Sequence, residues 1–428
     1  MGLFLAVLTF VFTLFVGVPV GVSLGLMGLV GVAFMGTVPM EVVAQRIFTG
    51  LDSFPLMCIP FFILAGDLMN SGRITERLIK FADMLVGRMR GALAHANIIA
   101  SMFFGGITGS AAADVSALGS MLIPAMEKDG YTPDFSAAVT ASSSLQGPII
   151  PPSILAVIYG ATMGQSIGAL FAAGIPLGVL FGLSDMAVVI FLAKKLNFPK
   201  KVLNLTTKEK LSIIGQAIVA LIMPLIILGG ILSGVFTPTE AAGVAVGYAF
   251  FISLYVLKTV KYRDLPKIIL NSALSTGSVF LLLAAANLFS WVLSTYQVPA
   301  MITRTILSIS ESPVVIILLI DLILLLVGTV MDPGAAIIML APALAPLAAQ
   351  AGLHEIQFGM LMITALALGL ITPPVGLCLF ISADIAKISM ERVAKAVFPF
   401  FVIHLLVIGM ISFMPDLVLF APKVFGYL

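Results

Sequence analysis

Charge is scarce in this chain. Lys, Arg, Asp and Glu together make up 10% of its 428 residues, whereas soluble domains carry about 25%. A surface facing water along most of that length is therefore excluded, and little chain is left for a soluble domain. Tryptophan occurs once, cysteine twice and histidine three times. Cys58 and Cys378 lie in apolar stretches, which suits small core residues rather than a disulfide framework or a metal site. His95, His354 and His404 are scattered and offer no metal-ligand spacing. The absence of HExxH and of a paired intramembrane Asp motif argues against a membrane-embedded enzyme. The net charge is only +2, and the basic residues are spread over short loops, so nothing points to nucleic acid. A basic n-region is also missing at the N-terminus, so the first apolar segment is expected to be a retained helix, not a signal peptide.

What is abundant is apolar sequence, at 60%. The expected fold is an all-α polytopic membrane protein. A span needs roughly 20 apolar residues. Residues 3–36 exceed one span and turn at Val18–Gly21, giving two short helices. An amphipathic helix is expected at 40–48, a span at 52–70, and a surface arm through Arg73–Arg90, whose basic excess marks it cytoplasmic. Residues 95–126 are broken at Gly105-Gly106 and Gly109-Ser110 into halves too short to cross alone, as in a re-entrant hairpin. A span at 134–163 is interrupted between Gln146 and Ser153, and another follows at 167–193 before Lys194, Lys195, Lys200 and Lys201. The remainder repeats that order. Spans at 212–233, 239–257 and 270–296 precede an arm at 298–311, a hairpin at 313–350 broken at Met331–Gly334, a span at 356–385 interrupted at Thr372–Pro374, and a last span at 396–420.

The basic loops fit one orientation, with the N-terminus outside, the first hairpin entering from inside and the second from outside. Residues 1–205 and 206–428 then form an inverted repeat. The distance from hairpin tip to break is about 42 residues in one half and about 45 in the other. Interruptions of this kind are tolerated in hydrocarbon only where the freed backbone is buried in protein or lines a cavity. Paired interruptions point to a transporter's binding site.

Ser110 stands where a second short helix should begin, and a helix N-terminus presents free N–H groups and a positive dipole end to an anion. Asp332-Pro333 has the form of an N-cap followed by the first helical residue, and an acid within an apolar segment is a functional candidate. Sodium is a hard cation that takes oxygen ligands, and unwound carbonyls and hydroxyls supply them. A tip packed on each break would make two cation cages. The candidate ligands are Gly109, Ser110, Ser143, Ser144, Gly147 and Pro151 in one half, and Gly328, Asp332, Gly369 and Thr372 in the other. Structural roles compete with each assignment. A serine can bond back to the preceding turn, Asp114 can stabilise a helix end, Thr237–Glu240 reads as a capping box, and Arg46 and Arg304 read as interface anchors.

Several segments carry a family resemblance: Leu51–Pro55 with Ile59–Gly66, Gly109–Asp114, Ile123–Tyr131, Gly147–Ser153, Phe236–Ala242 and Leu370–Gly376. Together they resemble the large membrane subunit, the DctM type, of tripartite ATP-independent periplasmic (TRAP) transporters, over nearly the whole chain. The resemblance implies an elevator-type carrier, with a transport domain that slides against a scaffold, driven by a sodium gradient and needing no other cofactor. It implies a small four-helix membrane subunit (DctQ-type), a periplasmic substrate-binding protein (DctP-type) and the cytoplasmic membrane of a bacterium or archaeon. The implied substrate is an organic acid: a dicarboxylate, keto acid, sialic acid or sugar acid. Carried to this chain, it puts Ser110, Ser153, Asp332 and Thr372 at or near the substrate. The chain departs from the family at Pro333, where relatives often have a hydroxyl-bearing residue. A stand-alone sodium/dicarboxylate symporter of similar architecture is the alternative.

Overall fold

The computed structural model describes residues 2–36, 38–87, 89–195, 198 and 206–428; Arg88, Lys200, Lys201 and the repeat boundary at 205 lie outside them. The described residues contain helices and no strand. The opening apolar stretch folds as α1 (Gly2–Phe15) and α2 (Val20–Ala33), because Gly17 takes φ +87° and Pro19 starts the second helix. There follow α3 (Glu41–Thr49), a 3-10 turn at Phe54–Met57, α4 (Cys58–Ser71) and the amphipathic α5 (Ile74–Val86). Next come α6 (Ala92–Thr108), α7 (Ala111–Lys128), α8 (Pro133–Ser143), α9 (Ile154–Met163) and α10 (Ile167–Lys195). The rest of the chain forms α11 (Thr207–Leu232), α12 (Pro238–Phe251), α13 (Leu265–Thr295), α14 (Val298–Ile309), α15 (Pro313–Gly328), α16 (Pro333–Gln350), α17 (Glu355–Gly369), α18 (Leu377–Ala386), α19 (Met390–Phe413) and α20 (Pro415–Val424). Seven helices among the described residues are long and apolar enough to cross a membrane. The protein is multi-pass.

The Thr237–Glu240 capping box is present at the start of α12, with the Glu240 carboxylate accepting from the Thr237 N–H at 2.8 Å. Two expectations fail. Gly105-Gly106 does not break the chain; it lies inside α6, and the two hairpin helices are 17 and 18 residues long. Glycine there serves close approach: a Cβ on Gly105 would lie 3.1 Å from the Gln146 carbonyl and from Gly147 Cα. The C-terminal apolar segment starts at Met390, not 396, and divides at Met414, whose φ of −120° and ψ of 79° leave the helical region that the following Pro415 disfavours.

Packing partners recur with the halves exchanged. Helix α2 packs on α13 and α4 on α12; α7 packs on α18 and α9 on α16. Helices α10 and α19, each the last long helix of its half, pack on each other.

Candidate functional site

The chain doubles back between α6 and α7. Ser101 Oγ donates to Asp114 Oδ1 at 3.2 Å, joining the two helices across their shared tip. The tip itself is Gly109, at φ +64°, and Ser110, in extended conformation. Gly109 is required twice over: its φ is left-handed, and a Cβ would strike the Pro152 carbonyl. A Cβ on Gly147 would fall 3.0 Å from the Ser110 carbonyl carbon. The tip therefore rests, backbone on backbone, on the interruption between α8 and α9.

The second pair is built alike. Asp332 caps α16, its Oδ1 accepting from the Gly334 and Ala335 N–H groups at 2.9 and 3.3 Å. Gly328 and Gly369 face each other so closely that a Cβ on Gly369 would meet the Gly328 backbone, while one on Gly328 would lie 2.9 Å from the Leu366 carbonyl. The Val375 N–H also reaches the Thr329 carbonyl at 3.4 Å. Each break carries a cis peptide bond, Pro151-Pro152 and Pro373-Pro374.

Both tips open on one cavity of about 270 Å³. Its wall includes Ala111, Ile154, Pro333 and Leu377, which are the first residues of α7, α9, α16 and α18. Four helix N-termini thus converge there, each equivalent to about half a positive charge. No Lys, Arg or His is among the lining residues. Ser278, Val279, Leu282 and Leu283 of α13 close the far side.

The sequence-derived candidates separate at this cavity. Gly109, Ser110 and Asp332 line it. Ser110 caps α7 only loosely, with the Ala113 N–H 3.5 Å from its hydroxyl, and Asp332 is open to the cavity. Ser153 is not among the lining residues. It is buried, donates to the Pro148 carbonyl at 2.5 Å and caps α9 by accepting from the Ala156 N–H at 3.1 Å. Thr372 also stands off the cavity, its hydroxyl bonded to the Leu368 carbonyl at 2.8 Å. Ser143 and Ser144 are buried behind the first break; Ser143 Oγ is 3.0 Å from Ser101 Oγ, and Ser144 donates to the Ala141 carbonyl at 2.7 Å. Gly147, Pro151, Gly328 and Gly369 supply the buried backbone where tip meets break.

Residues 7–417 match the family described as the tripartite ATP-independent periplasmic transporter, DctM component. The chain belongs to that family. It is 40% identical to the uncharacterised protein YgiK of Salmonella typhimurium, over 98% of this chain and 96% of that one. It is 37% identical to the sialic acid TRAP transporter large permease protein SiaM of Vibrio cholerae, over 97% of both. It is 38% identical to the isethionate TRAP transporter permease protein DctMQ of Oleidesulfovibrio alaskensis, over 96% of this chain and 65% of that longer one.

In this DctM-family chain a second polar cluster was not anticipated. Asp185 on α10 accepts from Ser142 Oγ on α8 at 2.8 Å and lies 3.0 Å from His404 Nε2 on α19. All three residues are fully buried. On α15, Asp321 accepts from Ser412 Oγ on α19 at 2.8 Å. The available signal was an acid inside a long apolar run; its partners, far away along the chain, gave none.

Proposed function

We propose that the chain is the membrane permease of a sodium-driven tripartite importer of an organic acid. The observation that carries this reading is the convergence of four helix N-termini on one cavity that no basic side chain lines. Such a site recognises an anion through backbone N–H groups and helix dipoles. The Ser110 hydroxyl would donate to a substrate carbonyl or hydroxyl, and the Asp332 oxygen not used in its cap would accept from a substrate hydroxyl. Eight aliphatic side chains in the wall, among them Ile154, Leu155, Val279 and Leu282, favour an acid with a compact apolar body. A sugar acid would leave several hydroxyls unpaired there, each costing about 1–3 kcal/mol.

Sodium would sit at the two places where a tip rests on a break. The backbones of Gly109 and Pro152, and of Gly328 and Gly369, approach closely there, and freed carbonyls are the oxygen ligands that a hard cation takes. The exchanged packing of α2 with α13 and α4 with α12, and of α7 with α18 and α9 with α16, supports an inverted repeat. Helices α6–α10 and α15–α19 would then move as one body against α13 and its neighbours, in the orientation that the basic loops favour. The proposed partners are a DctQ-type small subunit and a DctP-type binding protein in the cytoplasmic membrane system of a prokaryote. The relative named DctMQ, longer than this chain, favours such an assembly over a stand-alone symporter.

The test is uptake into proteoliposomes holding the chain, its small subunit and the binding protein. A branched 2-oxo acid, a C4-dicarboxylate, isethionate and sialic acid are offered with and without an inward sodium gradient. At least one should accumulate only with sodium and binding protein. Accumulation without the binding protein restores the stand-alone symporter; none with any acid, the gradient imposed, defeats the reading.

A further inference from the structure

A second, smaller cavity of about 170 Å³ adjoins the first. The two share Ile158 of α9 and Leu283 of α13 as common wall. Beyond that aliphatic pair the chemistry changes. The second cavity is lined by the side chains of Thr49, Ser53, Thr162 and Asn287. Hydroxyls and an amide can donate to an anion and hold water around it.

A cationic residue lies one turn from the wall residues Thr49 and Gly50. Helix α3 lies along α13. A Cβ on Gly50 would fall 2.6 Å from Asn287 Cβ, so Asn287 lies flat on that glycine. One turn back on α3 is Arg46, and one turn on along α13 is Trp291; the Arg46 guanidinium sits over the Trp291 ring, 5.1 Å from its centre. Arg46 and Trp291 therefore each stand one helical turn from the Gly50–Asn287 contact in the cavity wall. Cation–π contact holds the guanidinium in place without neutralising its charge. Asp52, exposed beside Ser53, is the opposing charge nearby. Glu355, which faces the end of α9, is engaged by Gln165 Nε2 at 2.6 Å.

We propose that this cavity is an anion antechamber. Arg46 gathers an organic anion, Thr49, Ser53, Thr162 and Asn287 hold it, and Ile158 with Leu283 separates it from the substrate cavity. Its place in transport rests on the organic-acid reading above; its preference for anions does not.

The test uses Thr162→Cys in the full chain in nanodiscs, probed with a sulfonate-bearing and a trimethylammonium-bearing methanethiosulfonate. Each rate is normalised to that of a small free thiol. Cys58 and Cys378 are buried, so the parent chain is the blank. The anionic reagent should react at least about threefold faster than the cationic one, the size expected of one partly screened charge nearby. Arg46→Gln should abolish that ratio, Arg46→Lys should keep most of it, and Asp52→Asn should raise it. Equal rates, a ratio untouched by Arg46→Gln, or a monodisperse Thr162→Cys variant whose introduced thiol does not react overturns the antechamber. Failure of organic-acid uptake with the ratio intact overturns the transport reading and leaves the anion site standing.

Discussion

Asp332 combines two roles that its neighbours keep apart. One oxygen completes α16 by accepting two backbone N–H groups, and the residue lines the cavity. Asparagine caps a helix about as well as aspartate, whereas alanine costs about 1 kcal/mol. Asp332→Asn should therefore keep the thermal midpoint, and Asp332→Ala should lower it. Sodium-driven uptake should fall at least about tenfold in both, matching loss of a charged contact near 1.5 kcal/mol. Wild-type uptake by Asp332→Asn reduces the carboxylate to a cap. Ser110 and Ser153 supply the converse comparison. Ser153 commits both its donor and its acceptor to the fold, so Ser153→Ala should cost about 1 kcal/mol or more of stability, seen as a lower midpoint in a thermal scan. Ser110 holds its cap at 3.5 Å and faces the cavity, so Ser110→Ala should raise the KM for the acid and leave the midpoint almost unmoved. Reversed results would exchange the two serines' roles.

Where a tip meets a break, glycine decides the geometry. A Cβ on Gly369 would meet the Gly328 backbone, which cannot rotate away as a side chain can. Overpacking of this kind costs about 1–3 kcal/mol, and here it would also part the tip from the break. Gly369→Ala should lower the thermal midpoint and weaken sodium activation, whereas Gly247→Ala on α12, with open space around its Cβ, should be near neutral. Equal behaviour of the two variants, in melting and in sodium response, would show that the contact is incidental. The helices were mostly legible in the sequence because hydrophobic length and proline position carry their ends, as at Thr237-Pro238 and Asp332-Pro333. Gly105-Gly106 misled because the same residue that breaks a helix also permits close packing, and only the three-dimensional neighbour distinguishes the uses. Ser153 and Thr372 carry a similar ambiguity: a hydroxyl beside a break bonds whichever carbonyl the local turn brings near. Asp185 was visible as an acid in an apolar run, but Ser142 and His404 meet it only through tertiary packing of α8, α10 and α19.

For the molecule as a whole, the proposed sodium coupling would arise from occupancy. If each tip is held on its break by a sodium ion, the four helix N-termini reach the substrate geometry only when both ions are present. The acid then binds tightly to the doubly loaded form and weakly to the empty one, and linkage makes the effect reciprocal in binding. Equilibrium binding of a transported acid to the purified permease should strengthen with sodium concentration, with a Hill coefficient approaching about 2 for two cooperating sites. Saturating acid should lower the half-saturating sodium concentration by about the square root of that strengthening, because two ions share the coupling. Gly369→Ala, which disturbs one tip, should flatten the sodium curve toward a coefficient of about 1. The Arg46→Gln change lies one turn from the antechamber wall, outside both tips, and should leave that coefficient unchanged while raising the KM for uptake. Acid binding that is independent of sodium would break the link between the tips and the cavity, because nothing else in the proposed cycle makes the substrate wait for the ion.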